Sequence, residues 1–447
     1  MAEPRNSHVR WWLVGWIFVL SAVSYLDRVN ISIAGTSIAS EFGLSTVQLG
    51  TVFFAFLLGY ALFQTAGGYL ADRFGPRRTL TAGALWWCVF TALTAFMSAR
   101  LAFALFLLIS VRFLLGAGEA IMFPASNQFI SRWIPKQEQG IANGVVFAGV
   151  GIGAGVTPTL IAFVMSHYGW RWSFWLSALL GLLAGLVWYL VARDTPEQHA
   201  LVSPVELAHI RGTAKNDVAG ATSTGNDQLA TTGKVGWSII LSSKEVWAIT
   251  AAYFTYGYVA WIFFAWFFIY LAKVRGLNLK ASAFYTTLPF LAMAITSPLG
   301  GAISDALVKR YGQRFGRCGI AIFGLMLAAV FLVFGARAEN ARIASVVLAG
   351  GAGALYLSQS SFWAVTAGIS RGSSGSVSGF MNSGNQFGGM LTAQLTPIIA
   401  LHWNWTAPFY VAAALALLGA AAWLFVDPAR TLASSESSRY NSQARST

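Results

Sequence analysis

Twelve runs of about twenty apolar residues recur along this 447-residue chain, and they leave few folds open. A run of that length crosses the ~30 Å hydrocarbon core of a bilayer as a helix. Inside hydrocarbon every backbone N–H and C=O must be paired within the chain, which only helices and closed barrels achieve. A barrel would show segments of about ten residues with alternating polarity, and these runs are continuous. Charged residues make up 10% of the chain, against about 25% in soluble domains, so most of its surface faces something other than water. The expectation is an all-α membrane protein. The same balance excludes a cytosolic enzyme, a secreted disulfide scaffold and a disordered chain. Cys88 and Cys318 sit in or beside apolar runs, with no CxxC and no histidine cluster, and imply neither a disulfide framework nor a metal site.

The runs lie near 11–36, 46–71, 79–98, 101–124, 138–163 and 170–192, and then near 245–273, 281–304, 316–336, 341–368, 374–401 and 404–426. This predicts an amino-terminal six-helix bundle over 1–192, a cytoplasmic linker over 193–244, a carboxy-terminal six-helix bundle over 245–427 and a disordered, serine-rich tail over 428–447. The first run lacks a small-residue cleavage site and reads as a span, not a removable signal. With the amino terminus in the cytoplasm, twenty of the 29 Lys and Arg residues fall on that side, seven on the other and two within the spans. That bias places both termini inside. It also accounts for the net charge of +13 without nucleic acid. In the linker, Ser203-Pro204-Val205-Glu206 reads as a capping box opening a short helix, and 213–236 reads as a flexible tether.

A motif repeats between the halves. Gly68-Tyr69-Leu70-Ala71-Asp72-Arg73-Phe74-Gly75-Pro76-Arg77-Arg78 ends the second span, and Gly301-Ala302-Ile303-Ser304-Asp305, followed by Lys309 and Arg310, ends the eighth. Duplicated bundles that rock about a central site are a carrier architecture. An aspartate at a helix end can pair with nearby arginines or cap a neighbouring helix. On this reading Gly68, Asp72, Arg73, Gly75, Arg77, Arg78 and Asp305 form a gate between the halves, the plain alternative being a solvated loop with positive-inside charges.

Of the 29 basic and 16 acidic residues, only Asp27, Arg28, Arg112 and Glu119 fall well inside spans. Each costs about 2.5–3.5 kcal/mol at a helix centre, or roughly 10 kcal/mol together, unless they face one another or a polar cavity. Arg112 and Glu119 are seven residues apart, which puts them on one helix face about 10 Å apart. Asp27 and Arg28 diverge by about 100°, so each is free to seek a partner on another helix, and Asp27 with Arg112 is the expected pair. The alternative is ion pairs that merely fasten the first span to the fourth. Two arginines and two carboxylates sum to zero, and an arriving organic anion would unbalance them in low dielectric. Burial favours a protonated acid and a nearby guanidinium favours the carboxylate. An anion that captures the arginine therefore frees the acid to take a proton, which is symport by competition.

The motif of the second span, the six-plus-six layout and the linker resemble the major facilitator superfamily. Three further segments narrow the resemblance to the anion:cation symporter family, which includes bacterial sugar-acid and aromatic-acid permeases and animal sialic acid and vesicular glutamate carriers. They are Tyr25-Leu26-Asp27-Arg28-Val29-Asn30, Arg112-Phe113-Leu114-Leu115-Gly116-Ala117-Gly118-Glu119-Ala120 running to Phe123-Pro124, and Gly169-Trp170-Arg171-Trp172-Ser173-Phe174-Trp175. The resemblance implies that Arg28, Tyr25 and Tyr60 hold substrate, that Asp27 and Glu119 carry protons and that Arg112 links them. It further implies hydroxyl-binding groups at Gln359, Ser360, Trp363, Asn382 and Gln386. Ser and Asn in membrane helices also bond simply across helices, which is the alternative for these five. Many relatives have proline after the tryptophan matching Trp266, but here Phe267 follows, which puts the hinge of the seventh span in question.

Gly149-Val150-Gly151-Ile152-Gly153-Ala154-Gly155 imitates a dinucleotide loop, yet it lies inside the fifth span with no strand before it, so close helix packing is expected. The expectation is a monomeric, proton-coupled importer of a small carboxylate in a bacterial inner membrane, with no cofactor and with sodium as the alternative coupling ion. Sugar acids such as hexonates or aldarates come first as substrates, phthalate-type aromatic acids second. A drug or metabolite antiporter and a non-transporting sensor are the other readings.

Overall fold

The computed structural model describes residues 7–212, 235–267, 270–277, 279–370 and 372–432. There is no strand among the described residues. Span one is Val9–Phe42, span two Thr46–Phe74, span three Pro76–Phe96, span five Gln139–Tyr168 and span six Trp170–Val191. Span four is broken: Ala104–Glu119 gives way at Ala120 and Ile121 to Met122–Trp133, so it runs nine residues past its expected end. In the second half, span seven begins at Lys244, span eight is Leu279–Tyr311, span nine ends at Arg337, span ten is Ala341–Ile369, span eleven Ser374–His402 and span twelve Ala407–Ala422. Eleven helices among the described residues are long and apolar enough to cross a membrane. Span eleven has 29 residues, or about 43 Å at 1.5 Å per residue. Its Ser, Gly, Asn and Gln residues make it the polar exception, and its polar first half is buried among neighbouring helices.

Glycines set the helix spacing. A side chain at Gly59 would overlap the Phe113 carbonyl and one at Gly116 the Phe56 carbonyl, so spans two and four meet backbone to backbone. Span five does this on two faces. Gly149 and Gly153 lie against the backbone of span one at Phe18 and Ala22, while Gly144 and Gly151 lie against span eight at Pro298 and Phe290. The glycine string is therefore packing surface, as expected.

The linker helix, Pro204–Arg211, begins where expected, with Ser203 Oγ accepting from Glu206 N at 3.1 Å. Glu206 does not complete the box. Its buried carboxylate instead accepts from Val9 N and Arg10 N, each at 3.1 Å, and from Ser7 Oγ at 2.6 Å, capping span one from outside. The expected tether over 213–236 lies outside the described residues except at its last two positions. Of the expected tail, 433–447 lies outside them as well.

Span seven carries wider, π-type turns at Ile262–Trp266 and Tyr270–Val274. Such turns lose regular backbone bonding and bend helices. An irregularity is thus present where proline is missing.

Candidate functional site: a charged centre and two capped helix ends

Span one places Tyr25, Asp27 and Arg28 at the middle of the molecule, and the close crossing of spans two and four brings Phe56, Tyr60, Arg112 and Glu119 to the same level. Arg28 Nε donates to Glu119 Oε2 at 2.8 Å. Ser24 Oγ donates to the same oxygen at 3.5 Å. The Arg28 guanidinium carbon lies 4.6 Å from the Tyr25 ring centre and 4.2 Å from that of Tyr60, an arrangement in which aromatic faces stabilise the cation. Phe56, absent from the expected set, is shared between the arginines, 5.6 Å from Arg28 and 4.8 Å from Arg112.

The expected Asp27–Arg112 ion pair does not form. Asp27 accepts from Thr91 Oγ1 at 3.4 Å, and its Oδ1 has no hydrogen-bond partner among the described residues. Arg112 is 1% exposed, and its Nε and Nη1 have no partner among the described residues. Arg28 Nη2, Glu119 Oε1 and the Tyr60 hydroxyl are likewise buried and unpartnered. Buried polar groups are almost always hydrogen-bonded, which sets this cluster of open donors and acceptors apart from an ordinary helix contact.

From Arg28 an aromatic path leads into the second half. Phe123 lies 6.0 Å from the Arg28 guanidinium and 5.9 Å from Trp363 on span ten. Tyr25 meets Phe264, in the first irregular turn of span seven, at 5.9 Å. Trp363 Nε1 and Gln359 Nε2 both donate to the Tyr253 hydroxyl, at 2.9 and 2.8 Å. Gln359 Oε1 and Ser360 Oγ are buried without partners. Asn382 and Gln386 are buried on span eleven. Asn382 accepts from Asn385 at 3.3 Å, Gln386 Oε1 has no partner, and no described contact ties either to Arg28. Tyr256 is buried with its hydroxyl open. Trp266 turns toward Trp405, at 6.3 Å, near the start of span twelve. Tyr253, Phe56 and Phe264 are not singled out by sequence reasoning, and Phe123 appears there only within the span-four motif.

The repeated motif is used twice, in the same way. Asp72 accepts from Gly375 N at 2.9 Å, Ser376 N at 2.7 Å and Ser376 Oγ at 2.5 Å, which caps the first turn of span eleven. Asp305 accepts from Gly140 N at 3.1 Å and Ile141 N at 2.7 Å, which caps span five. A carboxylate suits the positive end of a helix. Gly68 meets Gly375, and Gly301 meets Gly140, so closely that a side chain at any of the four would overlap backbone of the other half. Asp305 also pairs with Arg317 at 2.6 Å.

The other motif residues divide differently from the expected gate. Gly75, at φ +86°, and Arg77 hold the turn to Asp194 and Tyr189 within the first half. Arg73 and Arg78 are exposed. Arg73 donates to Tyr69 at 3.2 Å, and neither arginine reaches the second half. Arg73 lies in the last turn of span two and Arg78 in the first turn of span three, both on the outer surface. At the opposite end Arg171 grips Glu41 through two nitrogens, at 2.6 and 2.8 Å, tying span six to span one.

Comparison with known proteins agrees with this architecture. The model of the Major Facilitator Superfamily matches residues 17–358 and 285–446. A probable sulfoacetate transporter of Cupriavidus necator is 31% identical over 422 residues, covering 94% of each chain. A hexuronate transporter of Bacillus subtilis is 27% identical over 419 residues, covering 92% of this chain and 94% of the relative. A probable galactarate/D-glucarate transporter of Escherichia coli is 29% identical over 337 residues, 73% of each chain. Among solved structures, the proton:xylose symporter bound to 6-bromo-6-deoxy-D-glucose superposes with a TM-score of 0.74 at 14% identity, covering 96% of this chain and 98% of that one. That likeness concerns the fold alone. This chain belongs to the major facilitator superfamily of multi-pass membrane transporters.

Proposed function

We propose that the protein is a proton-coupled symporter that imports a small carboxylate, foremost a sugar acid such as a hexonate or aldarate, by alternating access. The observation that carries this reading is the Arg28–Glu119 pair, which has one open donor on the arginine and one open oxygen on the glutamate. A substrate carboxylate meets a guanidinium bidentately. To do so at Arg28 it must compete with Glu119. A carboxylate that loses its guanidinium in a dry interior is costly as an anion, so Glu119 takes up a proton as the substrate binds. With a monocarboxylate such as a hexonate the loaded site is then neutral and free to move, whereas a dicarboxylate such as an aldarate needs a second proton. An empty protonated site or a loaded unprotonated one carries an unbalanced charge, and neither exchanges sides readily. Asp27 and Arg112, unpaired beside this centre, extend the path along which the proton travels.

In this reading the end carrying Asp72 and Asp305 is cytoplasmic, the membrane is a bacterial inner membrane and the transporter works as a monomer. Release inward requires both aspartates to leave the helix ends they cap. Sodium is the competing coupling ion, and phthalate-type acids are the competing carboxylates. The relative named for sulfoacetate favours one further candidate, a small sulfonate, whose oxygens would meet Arg28 in the same way.

Uptake into proteoliposomes tests the proposal, with gluconate, glucarate, sulfoacetate and phthalate offered under an imposed proton gradient, a sodium gradient or neither. Accumulation of a sugar acid driven by protons is expected. Accumulation that needs sodium, or uptake only into vesicles preloaded with a counter-substrate, contradicts it.

A further inference from the structure

Tyr253 on span seven lies at the boundary between the aromatic wall and the polar face of span ten. Its ring is packed at 4.6 Å from Phe362 and 5.1 Å from Tyr256, and the residue is 2% exposed. Its hydroxyl accepts twice, from Gln359 Nε2 and from Trp363 Nε1. A phenol oxygen has one hydrogen to donate, and with both acceptor positions filled that hydrogen meets no acceptor among the described residues. Gln359 is in the complementary position, with its amide nitrogen engaged and its carbonyl oxygen buried without a partner. Leaving such groups unpaired costs more than a completed hydrogen bond returns. A chain of contacts through Trp363 and Phe123 links this pair to Arg28.

We infer that Tyr253 makes the site selective for hydroxylated acids: it holds the Gln359 amide by its nitrogen, leaving its own O–H as donor and the Gln359 carbonyl as acceptor, which a single substrate hydroxyl can satisfy together. A hydroxyl both donates and accepts, whereas an ionised carboxylate or sulfonate only accepts. Arg28 takes the acid group, and the Tyr253–Gln359 pair reads the carbon chain beyond it. The inference rests on the carboxylate reading of Arg28 and narrows its substrate class to polyhydroxy acids.

The test is binding to the purified full-length protein, followed by ligand-induced thermal stabilisation, so that it does not depend on flux. The probes are gluconate, hexanoate, which has the same chain length without hydroxyls, and adipate, which has a second carboxylate without hydroxyls. Wild-type protein is expected to prefer gluconate to both. Tyr253→Phe keeps the ring and should lower that preference about tenfold, the worth of roughly one hydrogen bond, by weakening gluconate while hexanoate and adipate change less than twofold. Gln359→Leu should lose as much, and the double variant no more than the weaker single variant, because the two residues act as one unit. An unchanged preference in Tyr253→Phe overturns the inference. So does adipate weakening in step with gluconate, which would mean that the amide presents its nitrogen to the ligand, and so do additive losses in the double variant. A wild-type protein indifferent to hydroxyls overturns the inference and leaves carboxylate transport standing. Gluconate that binds but is never carried overturns the transport proposal instead.

Discussion

Arg28 and Glu119 meet across spans one and four at 2.8 Å, each with one polar atom left open. A closed ion pair would fasten two helices and be finished. An open one, with the tyrosine rings of Tyr25 and Tyr60 against the arginine, is what the proposed exchange of partners requires.

Replacing that arginine by lysine keeps the charge and discards the fork. Arg28→Lys loses bidentate contact with a carboxylate and most of its stacking on Tyr25 and Tyr60. Affinity for the transported acid should fall by about 10- to 100-fold, equivalent to ~1.4–2.8 kcal/mol. Equilibrium binding to protein in detergent measures this. Unchanged affinity would remove Arg28 from the carboxylate site.

Asp72 holds the first turn of span eleven by three hydrogen bonds. Asp72→Asn has one oxygen and no charge to offer, and should weaken closure at that end by about 1–2 kcal/mol. Thr65 and Ser383 provide a reporter, because their hydroxyls are 3.1 Å apart across the two halves. A Thr65→Cys, Ser383→Cys double variant should form a disulfide readily. Adding Asp72→Asn should cut the yield by at least half. The native Cys88 and Cys318 are buried and free, and give little background. An equal yield would show that the cap does not govern closure.

Glu206 binds the backbone start of span one and also pairs with Arg10 at 3.1 Å. Glu206→Ala removes a helix cap and a partner of a nearly buried arginine, at a cost of about 2–3 kcal/mol. The apparent unfolding temperature in detergent should drop by several degrees, with Glu206→Gln recovering part of the loss. If alanine has no effect, the linker helix is not anchored through this residue.

The sequence made the spans, the linker helix and the paired aspartates legible because each rests on a local rule: apolar length, cap chemistry and repetition. The charged centre was readable as a set and misread in its pairing. Asp27 and Arg112 were expected together, whereas Glu119 takes Arg28 and leaves both apart. Helical spacing says which residues share a face of one helix, but it is silent on the rotation of one helix against another.

Aromatic residues were the hardest to place. Phe103 and Phe106, 83% and 68% exposed, lie just before and within the first turn of the helix segment whose other end leads to Phe123. Nothing in a run of phenylalanines tells the lipid-facing ones from those beside an arginine. Tyr253 went unnoticed for the same reason. The irregular turns of span seven were hidden too, because a π-type turn needs no proline and leaves no fixed residue signature.

Glu119→Gln puts the exchange of partners itself to the test, with accumulation against a concentration gradient and exchange at equal concentrations both followed in proteoliposomes. The glutamine keeps the size of the side chain and cannot carry the proton. Gradient-driven accumulation should disappear while exchange survives in part. Normal proton-driven accumulation in this variant would contradict the account at its centre.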